Sequence, residues 1–402
     1  MLVGRDHDLR TLRALLDEAR AGRAGAMCVH GPVGVGKTSL LSQLVDGAGD
    51  EFLVLRTRGI ESAAHLAHAA LAEVLDPILD LRTQLPPARS RALGAALALE
   101  NASVASPFAV AAGVLGLLAA AAVGRPLVVL VDDLQWVDEA SRAALLFAAH
   151  RLEADAVAVL FGLRDGEGLD PAALGLPTLA MGGLNAPDAR ELLRGRHPDL
   201  DTSVAERLVA ATAGNPMALI EIPPLLDAQQ RRGAGALPDP LPLGRNLARA
   251  YVRPIETLSQ EARAALLLVA CATSREEAAA CGATTATSSA LLDVERSGLV
   301  RLDAGRIETV HPLVRSAALA AATPEELRAA HGHLAAALPP GSAARAWHAA
   351  AAAVGTDDEV ASALAAAGEA ARSGGAFADA ACALARAGDL TTDPDRRARL
   401  LL

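Results

Sequence analysis

The sequence predicts an α/β fold, in which a parallel sheet carries helices on both faces, followed by a region that is mostly helical. Two observations lead to this prediction. Over residues 1–184, short apolar runs typical of strands alternate with helical patterns, and this alternation indicates a parallel sheet. From Ala186 onward the strand patterns largely disappear, while helical patterns continue to the end of the chain.

The first part of the chain contains four predicted strands, at residues 26–30, 52–57, 127–131 and 157–163. The run 127–131 is continuously apolar, as expected for a strand that is buried on both faces. Predicted helices cover residues 9–16, 38–45, much of 63–123, and 139–152. The uncharged stretch 107–123 is short for a membrane span and a strand follows it closely, so we expect a core helix there and no membrane contact.

The second part of the chain contains few strand patterns. Residues 186–227 look helical, and 231–243 are rich in Gly and Pro, which is typical of a linker. Residues 246–320 combine helices with a short strand pair, 299–302 and 306–310, whose turn is formed by 303–305. This is the outline of a winged-helix domain. Residues 324–402 read as stacked helical hairpins of the tetratricopeptide (TPR) type, with a plain helical bundle as the alternative.

The composition excludes several classes of protein. Of the 402 residues, 52% are hydrophobic, 21% charged and 2% aromatic, which is typical of a globular, helix-rich chain with small core side chains. A net charge of −10 repels nucleic-acid phosphates, so the charge indicates no DNA-binding face. The four cysteines form no Cys-x-x-Cys pair, which argues against a zinc site or a disulfide framework. Charged residues precede any apolar run at the N-terminus, so the sequence predicts no signal peptide there. We expect a cytoplasmic protein.

A glycine-rich loop separates the first predicted strand from the helix that follows it. Its residues are Gly31, Pro32, Val33, Gly34, Val35, Gly36, Lys37 and Thr38, with Ser39 next to them. Phosphate binding needs converging backbone N–H groups, a helix N-terminus and a cation. The glycines allow a close approach, the lysine supplies charge, and the threonine supplies a hydroxyl for Mg²⁺. The sequence therefore predicts a P-loop (Walker A) nucleotide site.

Lys37 is the only lysine of the chain, because the other 36 of the 37 basic residues are arginine. An ammonium is a compact point charge that fits inside a loop of N–H groups, whereas a guanidinium is planar and bulky. A single lysine retained at this position favours phosphate binding over a surface lysine beside a chance glycine turn.

Two acidic residues, Asp132 and Asp133, follow the buried strand 127–131. A carboxylate at the end of a neighbouring strand is what magnesium-dependent phosphate chemistry requires. We expect Asp132 to hold Mg²⁺ through water and Asp133 to orient or polarise an attacking water. A solvated strand end followed by a helix cap is the alternative.

Arg164 closes the next predicted strand, 157–163. From that position it can reach the γ-phosphate of a bound nucleotide. A surface salt bridge with Asp165 or Glu167 is an equally acceptable alternative.

Together these motifs resemble those of the signal-transduction ATPases with numerous domains (STAND), a branch of the AAA+ relatives, and more narrowly the large ATP-binding regulators of the LuxR type. Leu2, Val3, Gly4 and Arg5, followed by Asp8, resemble the family's N-terminal hhGRxxE signature. In the family this signature packs near the nucleotide base. Asp8 stands where the signature usually has Glu.

Other residues carry the resemblance further along the chain. Asp133 resembles the family's second acidic residue, thought to act on water, and Arg164 its sensor arginine. Pro216, in Gly-Asn-Pro, resembles the proline of the GxP motif, which touches the adenine. His311, before Pro-Leu, resembles the winged-helix histidine that contacts the phosphates of ADP in the closed state. The alternatives are a turn between helices at Pro216 and an ordinary histidine at a helix start at 311.

The resemblance implies four regions and two cofactors. The regions are a nucleotide-binding AAA+/STAND domain (1–184), a helical lid (185–236), a winged-helix domain (237–322) and a TPR-like helical region (323–402). The cofactors are ATP or ADP and Mg²⁺. The fold expected overall is thus an α/β P-loop NTPase followed by mostly α-helical domains.

The function that the resemblance implies is an ATP/ADP-dependent switch with slow ATP hydrolysis and self-association in the ATP state. Regulators of this type act on DNA through a C-terminal helix-turn-helix module, which is not found in this sequence, and residues 396–402 look like mid-helix sequence. We therefore expect a truncated chain or a missing partner surface, and an unknown inducer or protein partner at the helical C-terminal region. A turnover ATPase or small-molecule kinase, and a helical scaffold with a vestigial nucleotide site, are the alternatives.

Overall fold

The computed structural model describes residues 2–100, 106–272, 274, 277–278, 285–303, 306–373 and 377–401. These residues form two compact units, Met1–Ile220 and Glu221–Leu402. Residues 304–305 of the predicted turn and the glycines at 374–375 lie outside the described residues. The finer division into four regions remains a prediction.

A parallel sheet forms the centre of the first unit. Among the described residues it has five strands, which are β1 (Gly25–Gly31), β2 (Leu53–Arg58), β3 (Leu127–Asp132), β4 (Val157–Arg164) and β5 (Thr178–Ala180). Their order is β2-β3-β4-β1-β5, and every neighbouring pair is parallel. Four of the five strands were predicted. β5 was missed because a three-residue edge strand, Thr-Leu-Ala, has no pattern that distinguishes it from a loop.

The first unit has helices before, between and after its strands, and helices cover both faces of the sheet. They are α1 (Asp6–Arg20), α2 (Lys37–Ala48), α3 (Ala69–Leu75), α4 (Pro87–Ala96), α5 (Pro107–Ala121), α6 (Glu139–Ala149), α7 (Ala186–Arg196), α8 (Thr202–Ala211) and α9 (Pro216–Glu221), the last of which crosses into the second unit. A nine-residue 3₁₀ helix, Asp76–Gln84, joins α3 to α4.

Side chains along β3 alternate between the two apolar layers of the first unit. Leu127, Val129 and Val131 pack into the layer that contains α3, α5 and α6. Val128 and Leu130 pack into the layer that contains α1 and α2. A central strand covered on both faces is apolar at every position, which explains the uninterrupted run that predicted it. The predicted α/β fold with helices on both faces is confirmed.

Helix α5 is a core helix, as its sequence predicts. Its residues Val114, Leu117 and Leu118 are buried in the layer that contains α3 and α6. Phe108, in its first turn, is exposed and meets Phe147 of α6 edge to face. No helix within the described part of the chain is long and apolar enough to cross a membrane.

The second unit is mostly helical. Its helices are α10 (Ala228–Arg231), α11 (Arg245–Glu256), α12 (Gln260–Cys271), α13 (Thr285–Arg296), α14 (Pro312–Ala321), α15 (Pro324–Ala337), α16 (Ala343–Ala352), α17 (Asp358–Ser373), α18 (Phe377–Leu390) and α19 (Pro394–Leu401). The predicted strand pair is present as an antiparallel hairpin of β6 (Val300–Asp303) and β7 (Arg306–Thr309).

The C-terminal helices pack through small side chains. Ala346 and Ala350 of α16, Ala361 of α17, and Ala383 and Ala387 of α18 are buried in one cluster. Because the alanine side chain is small, the backbones of facing helices can approach closely, and neighbouring helices form compact hairpins. Whether the hairpins belong to the TPR type stays a prediction.

Candidate nucleotide-binding site

Parallel pairing brings the carboxyl ends of the central strands to one edge of the sheet. Gly31, at the end of β1, pairs with Arg164, at the end of β4. Arg58, at the end of β2, pairs with Asp132, at the end of β3. Ligands of open α/β sheets bind at this edge, where loops and helix N-termini meet. The glycine loop and the acidic residues that the sequence singled out therefore share one edge.

The glycine loop turns sharply between β1 and α2. Gly34 and Gly36 have φ angles of +81° and +98°, which favour glycine because a Cβ would clash with the backbone. At Gly34 a Cβ would also lie 2.7 Å from Oδ1 of Asn215. Helix α2 begins at Lys37, directly after the loop. The N–H groups of its first turn have no partners within the helix and lie at the end of the loop, where an anion can accept them.

Three consecutive carbonyl groups of the loop are held by donors from outside it. The Val33 oxygen accepts from Nδ2 of Asn215 at 2.8 Å, and the Gly34 oxygen accepts from the Met217 N–H at 3.2 Å. The Val35 oxygen accepts from Nη2 of Arg5 at 2.9 Å. The loop conformation is therefore fixed by groups from the N-terminal arm and from the start of α9.

Lys37 is buried, and its ammonium lies beneath the loop. Nζ donates hydrogen bonds to the carbonyl oxygens of Gly31 at 2.6 Å and Pro32 at 2.9 Å. Burial, together with the positive charge of Arg164, lowers the pKa of Lys37 to about 8, although nearby aspartates oppose the shift. A buried ammonium whose close partners are neutral carbonyls gains from a phosphate, because an anion would supply the missing counter-charge.

Thr38 and Asp132 meet across the gap between α2 and β3. The Thr38 hydroxyl donates to Oδ2 of Asp132 at 2.7 Å, while Oδ1 of Asp132 accepts from the Asp133 N–H at 2.9 Å. Gly162 of β4 leaves room for this carboxylate, since a Cβ there would lie 2.4 Å from Oδ1. A hydroxyl and a carboxylate oxygen are hard ligands of the kind that Mg²⁺ prefers, so the donor set fits the metal.

Asp133 is buried among basic and amide donors. Oδ2 accepts from Nε and Nη2 of Arg58 at 2.8 and 2.7 Å, and Oδ1 accepts from Nε of Arg164 at 2.9 Å and Nε2 of Gln135 at 3.0 Å. Burial alone would raise the pKa of Asp133, but Arg164 and the hydrogen bonds from Arg58 and Gln135 hold it below its ordinary value. The Arg164 guanidinium also lies over the Trp136 ring, 4.2 Å from its centroid. Asp133 is therefore a fully ionised acceptor in this state.

Arg164 thus pairs with Asp133 across the sheet edge rather than with the next residue along the chain. Asp165, which the sequence offered as an alternative partner, instead pairs with His30 through Nδ1 at 2.8 Å. The Asp165 side of that alternative is wrong, because parallel pairing of β3 and β4 brings the end of one strand beside the end of the other.

The remaining residues singled out by the sequence lie around the same loop. Arg5 is buried and joins the loop to the chain after β5, since its guanidinium also donates to the Gly182 oxygen at 2.7 Å. Gly4 packs against Asp188, with no room for a Cβ. Val3 is half-buried beside it, and Ser39 is exposed on the first turn of α2. Pro216 is half-buried and begins α9.

His311 belongs to the second unit, where it precedes the first residue of α14. Its Nδ1 accepts from the Leu313 N–H at 3.2 Å, and its ring lies 5.6 Å from the ring of Tyr251. Burial lowers the pKa of His311 to about 4. The imidazole is therefore neutral at pH 7, and because Nδ1 accepts, Nε2 carries the proton and can donate one hydrogen bond.

Three residues of this site were missed by the sequence analysis, namely Arg58, Gln135 and Asn215. Arg58 ends β2, and the signal that identifies it is its strand position, which becomes informative only once β2 is known to pair with β3. Gln135 accepts from the Arg164 N–H at 3.1 Å and links the ends of β3 and β4. Asn215 lies inside a motif that drew attention only to its proline.

A cavity of ≈ 430 Å³ opens beside the first residue of the loop. Its walls combine the His30–Asp165 pair with apolar side chains and the hydroxyl-bearing Thr178. The N–H of Asp165 donates to the Gly31 oxygen at 3.2 Å, which connects one wall of the cavity to the glycine loop.

Comparison with known proteins gives a family match for the first part of the chain. Residues 1–161 match the AAA ATPase domain family. The Walker-type ATPase of Pyrococcus abyssi superposes with a TM-score of 0.50 at 14% identity, over 79% of this chain and 96% of that chain. The match shows that this chain has the P-loop NTPase fold. No curated protein matches the chain.

Two other solved structures give lower scores. A signal transduction ATPase with numerous domains from Pyrococcus horikoshii, which has a tetratricopeptide repeat sensor, gives a TM-score of 0.34 at 15% identity, over 96% of this chain and 54% of that chain. The RuvB Holliday junction branch migration motor of Thermotoga maritima gives 0.36 at 13% identity, over 77% of this chain and 92% of that chain.

Proposed function

We propose that this AAA ATPase domain is the nucleotide-driven part of a STAND-type signal-transduction switch, in which bound ATP or ADP sets the state of the whole chain. More narrowly, we propose a regulator similar to the large ATP-binding LuxR-type proteins, which would control transcription through a DNA-binding module that is not part of this sequence. Lys37 and the loop N–H groups would hold the phosphates, and Thr38 and Asp132 would hold Mg²⁺, which supplies charge neutralisation.

One observation carries this proposal, which is the engagement of Asp133 by two guanidinium groups. Arg164 and Arg58 both donate to the carboxylate that would orient the attacking water. A γ-phosphate is the competing anion at this edge of the sheet, and it would draw Arg164 away from Asp133. The domain would thus have two arrangements, one with Arg164 on Asp133 and one with Arg164 on the terminal phosphate, and a nucleotide switch requires two such states.

His311 supports the part of this proposal that concerns the ADP-bound state. Its neutral ring presents Nε2–H as a donor, which suits contact with a phosphate oxygen of ADP. This contact would hold the ADP state, and exchange for ATP would release it and allow self-association. Slow hydrolysis would then return the chain to the ADP state. The helical region 323–402 would receive the inducer or the protein partner.

Solution scattering and sedimentation velocity test this proposal on the full chain. We expect the ADP form and the form bound to a non-hydrolysable ATP analogue with Mg²⁺ to differ in radius of gyration or in oligomer size. Arg164→Gln should abolish that difference while still binding both nucleotides. Identical profiles and sedimentation coefficients for the two forms of the unmodified chain would overturn the switch.

The cavity beside Gly31 favours a second candidate function, a turnover ATPase or small-molecule kinase. This cavity is an open depression of ≈ 430 Å³, in which a small substrate would be partly enclosed and could form hydrogen bonds with the His30–Asp165 pair. Steady-state ATP turnover well above about one per second would favour this function over the switch, since a switch needs a long-lived ATP state.

A further inference from the structure

Asn215 joins the glycine loop to helix α9 through both ends of its side-chain amide. Oδ1 accepts from the Ala218 N–H at 3.2 Å and so caps α9, while Nδ2 donates to the Val33 oxygen at 2.8 Å. The two partners fix the orientation of the amide, because one is a donor and the other an acceptor. Asn215 itself is fully buried.

The contact at Val33 determines where an N–H group of the loop points. In a trans peptide the C=O of one residue and the N–H of the next are directed to opposite sides. With the Val33 oxygen held toward Asn215, the Gly34 N–H is directed away from it. The bonds to the Gly34 and Val35 oxygens from Met217 and Arg5 orient the next two N–H groups in the same manner. The three carbonyl contacts therefore fix the directions of three consecutive N–H donors, those of Gly34, Val35 and Gly36.

We propose that Asn215 is a positioning residue of the phosphate site, which orients the Gly34 N–H for the anion and transmits phosphate occupancy to α9. The inference rests on the proposed nucleotide binding, and it adds a contact through which that binding would affect helix α9. A phosphate that binds the loop N–H groups strengthens the opposite carbonyl as an acceptor, so the hydrogen bond from Nδ2 tightens. Since Oδ1 of the same amide caps α9, the helix that leads into the second unit is stabilised by the same event.

Asn215→Asp is the variant that isolates this role. Aspartate keeps the cap on α9 but replaces the donor to Val33 with an oxygen. Burial beside a carbonyl raises the pKa of such a carboxyl, so protonation at lower pH restores an O–H donor in the same place. Asn185→Asp is the matched control, because Asn185 also caps a helix, α7, through Oδ1 and accepts from the Asp188 N–H at 2.9 Å.

The measurement is the Kd of Mg–ADP for the full chain as a function of pH. We expect Asn215→Asp to bind about tenfold more weakly than the unmodified protein at about pH 8.5, and within about twofold of it at about pH 5.5. The control should stay within about twofold at both values. Taking the ratio to the unmodified protein at each pH removes the titration of ADP and of Lys37.

Two results would overturn the role of Asn215 while leaving nucleotide binding intact. One is equal affinity of Asn215→Asp and the unmodified protein at pH 8.5. The other is a loss of affinity of the same size at every pH, which is the signature of disturbed packing alone. An unmodified protein that does not bind Mg–ADP would instead contradict the proposed function, and the role of Asn215 with it.

Hydrogen exchange of the unmodified protein supplies a test that needs no variant. We expect Mg–ADP to slow exchange at the Met217 N–H and in the rest of α9, as well as in the glycine loop. Helix α8, for which the described residues show no such bond to the loop, should not change. Protection of residues 31–38 without any protection of α9 would contradict the transmission that we propose.

Discussion

Arg58 donates two hydrogen bonds, from Nε and Nη2, to a single oxygen of the Asp133 carboxylate at 2.8 and 2.7 Å. Arg164 donates to both oxygens of the same group, at 2.9 and 3.3 Å. A carboxylate whose lone pairs are occupied and whose pKa is lowered is a poor acceptor for a proton from water. In this arrangement Asp133 is inactive as a base until one of the arginines leaves it.

The first prediction concerns Arg58→Gln. Its side chain is 58% exposed, and after its removal the buried Asp133 carboxylate keeps Arg164 and Gln135 as hydrogen-bond partners. Its removal takes away the two short hydrogen bonds to Oδ2 of Asp133 and leaves that oxygen only the 3.3 Å bond from Arg164. We expect basal ATP hydrolysis to rise about threefold to tenfold, or roughly 1 kcal/mol of the barrier. Steady-state phosphate release measures the change.

Arg56→Gln is the matched control for Arg58, since Arg56 lies on the same strand and pairs with Asp46 instead. It should leave both hydrolysis and ADP affinity unchanged. A rate for Arg58→Gln that equals or falls below the unmodified rate, with nucleotide binding intact, would show that the Arg58–Asp133 pair does not restrain hydrolysis.

The second prediction concerns Asp133→Asn. The amide retains the shape of the carboxylate but cannot take a proton from water, so we expect hydrolysis to fall by at least about a hundredfold. Binding of ADP should change by less than about threefold, because Asp132 and Thr38, the residues that fit Mg²⁺, are untouched. Single-turnover hydrolysis and equilibrium binding separate the two effects. Unchanged hydrolysis would remove Asp133 from its assigned role.

The third prediction is a dependence of ADP affinity on the charge of Lys37. Its pKa is lowered to about 8 in the ligand-free protein, and a bound phosphate would raise it again. The proton is therefore held more tightly in the complex, so affinity is full below pH 8 and is lost as pH rises above it. We expect a loss of up to about tenfold per pH unit. The same titration of Lys37→Ala should show no such slope above pH 8.

The fourth prediction concerns the stability of the second unit in acid. The pKa of His311 is lowered to about 4 from an ordinary 6.5, so the unfolded chain binds the proton more readily. Stability is therefore full above pH 6.5 and falls as pH drops toward 4, by up to about 3 kcal/mol. His311→Asn keeps an acceptor for the Leu313 N–H and removes the titration. Between pH 7 and pH 4.5, the free energy of unfolding measured with urea should fall less for this variant than for the unmodified protein. An equal fall in both proteins would show that the His311 side chain is exposed to solvent.

Much of the fold and part of the site follow from local sequence. The strand 127–131 is recognisable because burial on both faces demands an unbroken apolar run. Lys37 and Thr38 are recognisable because a phosphate loop is a contiguous segment between a strand and a helix. Asp132 and Asp133 are recognisable because they directly follow the continuously apolar run 127–131.

The residues that escaped prediction act through contacts between distant segments. Arg58 becomes part of the site only because β2 pairs with β3, and strand order is not encoded within either strand. Asn215 reaches Val33 across 182 positions of sequence, so no local pattern could show the bond. β5 is too short to carry a period. Sequence patterns thus show which segments could bind phosphate. Tertiary pairing determines which side chains, such as Arg58 and Asn215, contact those segments.

The most direct measurement of the central claim is calorimetric titration of Mg–ADP into the full chain and into Lys37→Ala and Lys37→Arg, with the exposed Arg10→Ala as a control. We expect one nucleotide per chain, and a Kd about tenfold to a hundredfold weaker in both Lys37 variants, since a charge-assisted phosphate contact contributes roughly 1.5–3 kcal/mol and a guanidinium does not fit the loop. The control should bind as the unmodified chain does. Equal affinities for the unmodified chain and Lys37→Ala, or no binding by either, would contradict the account.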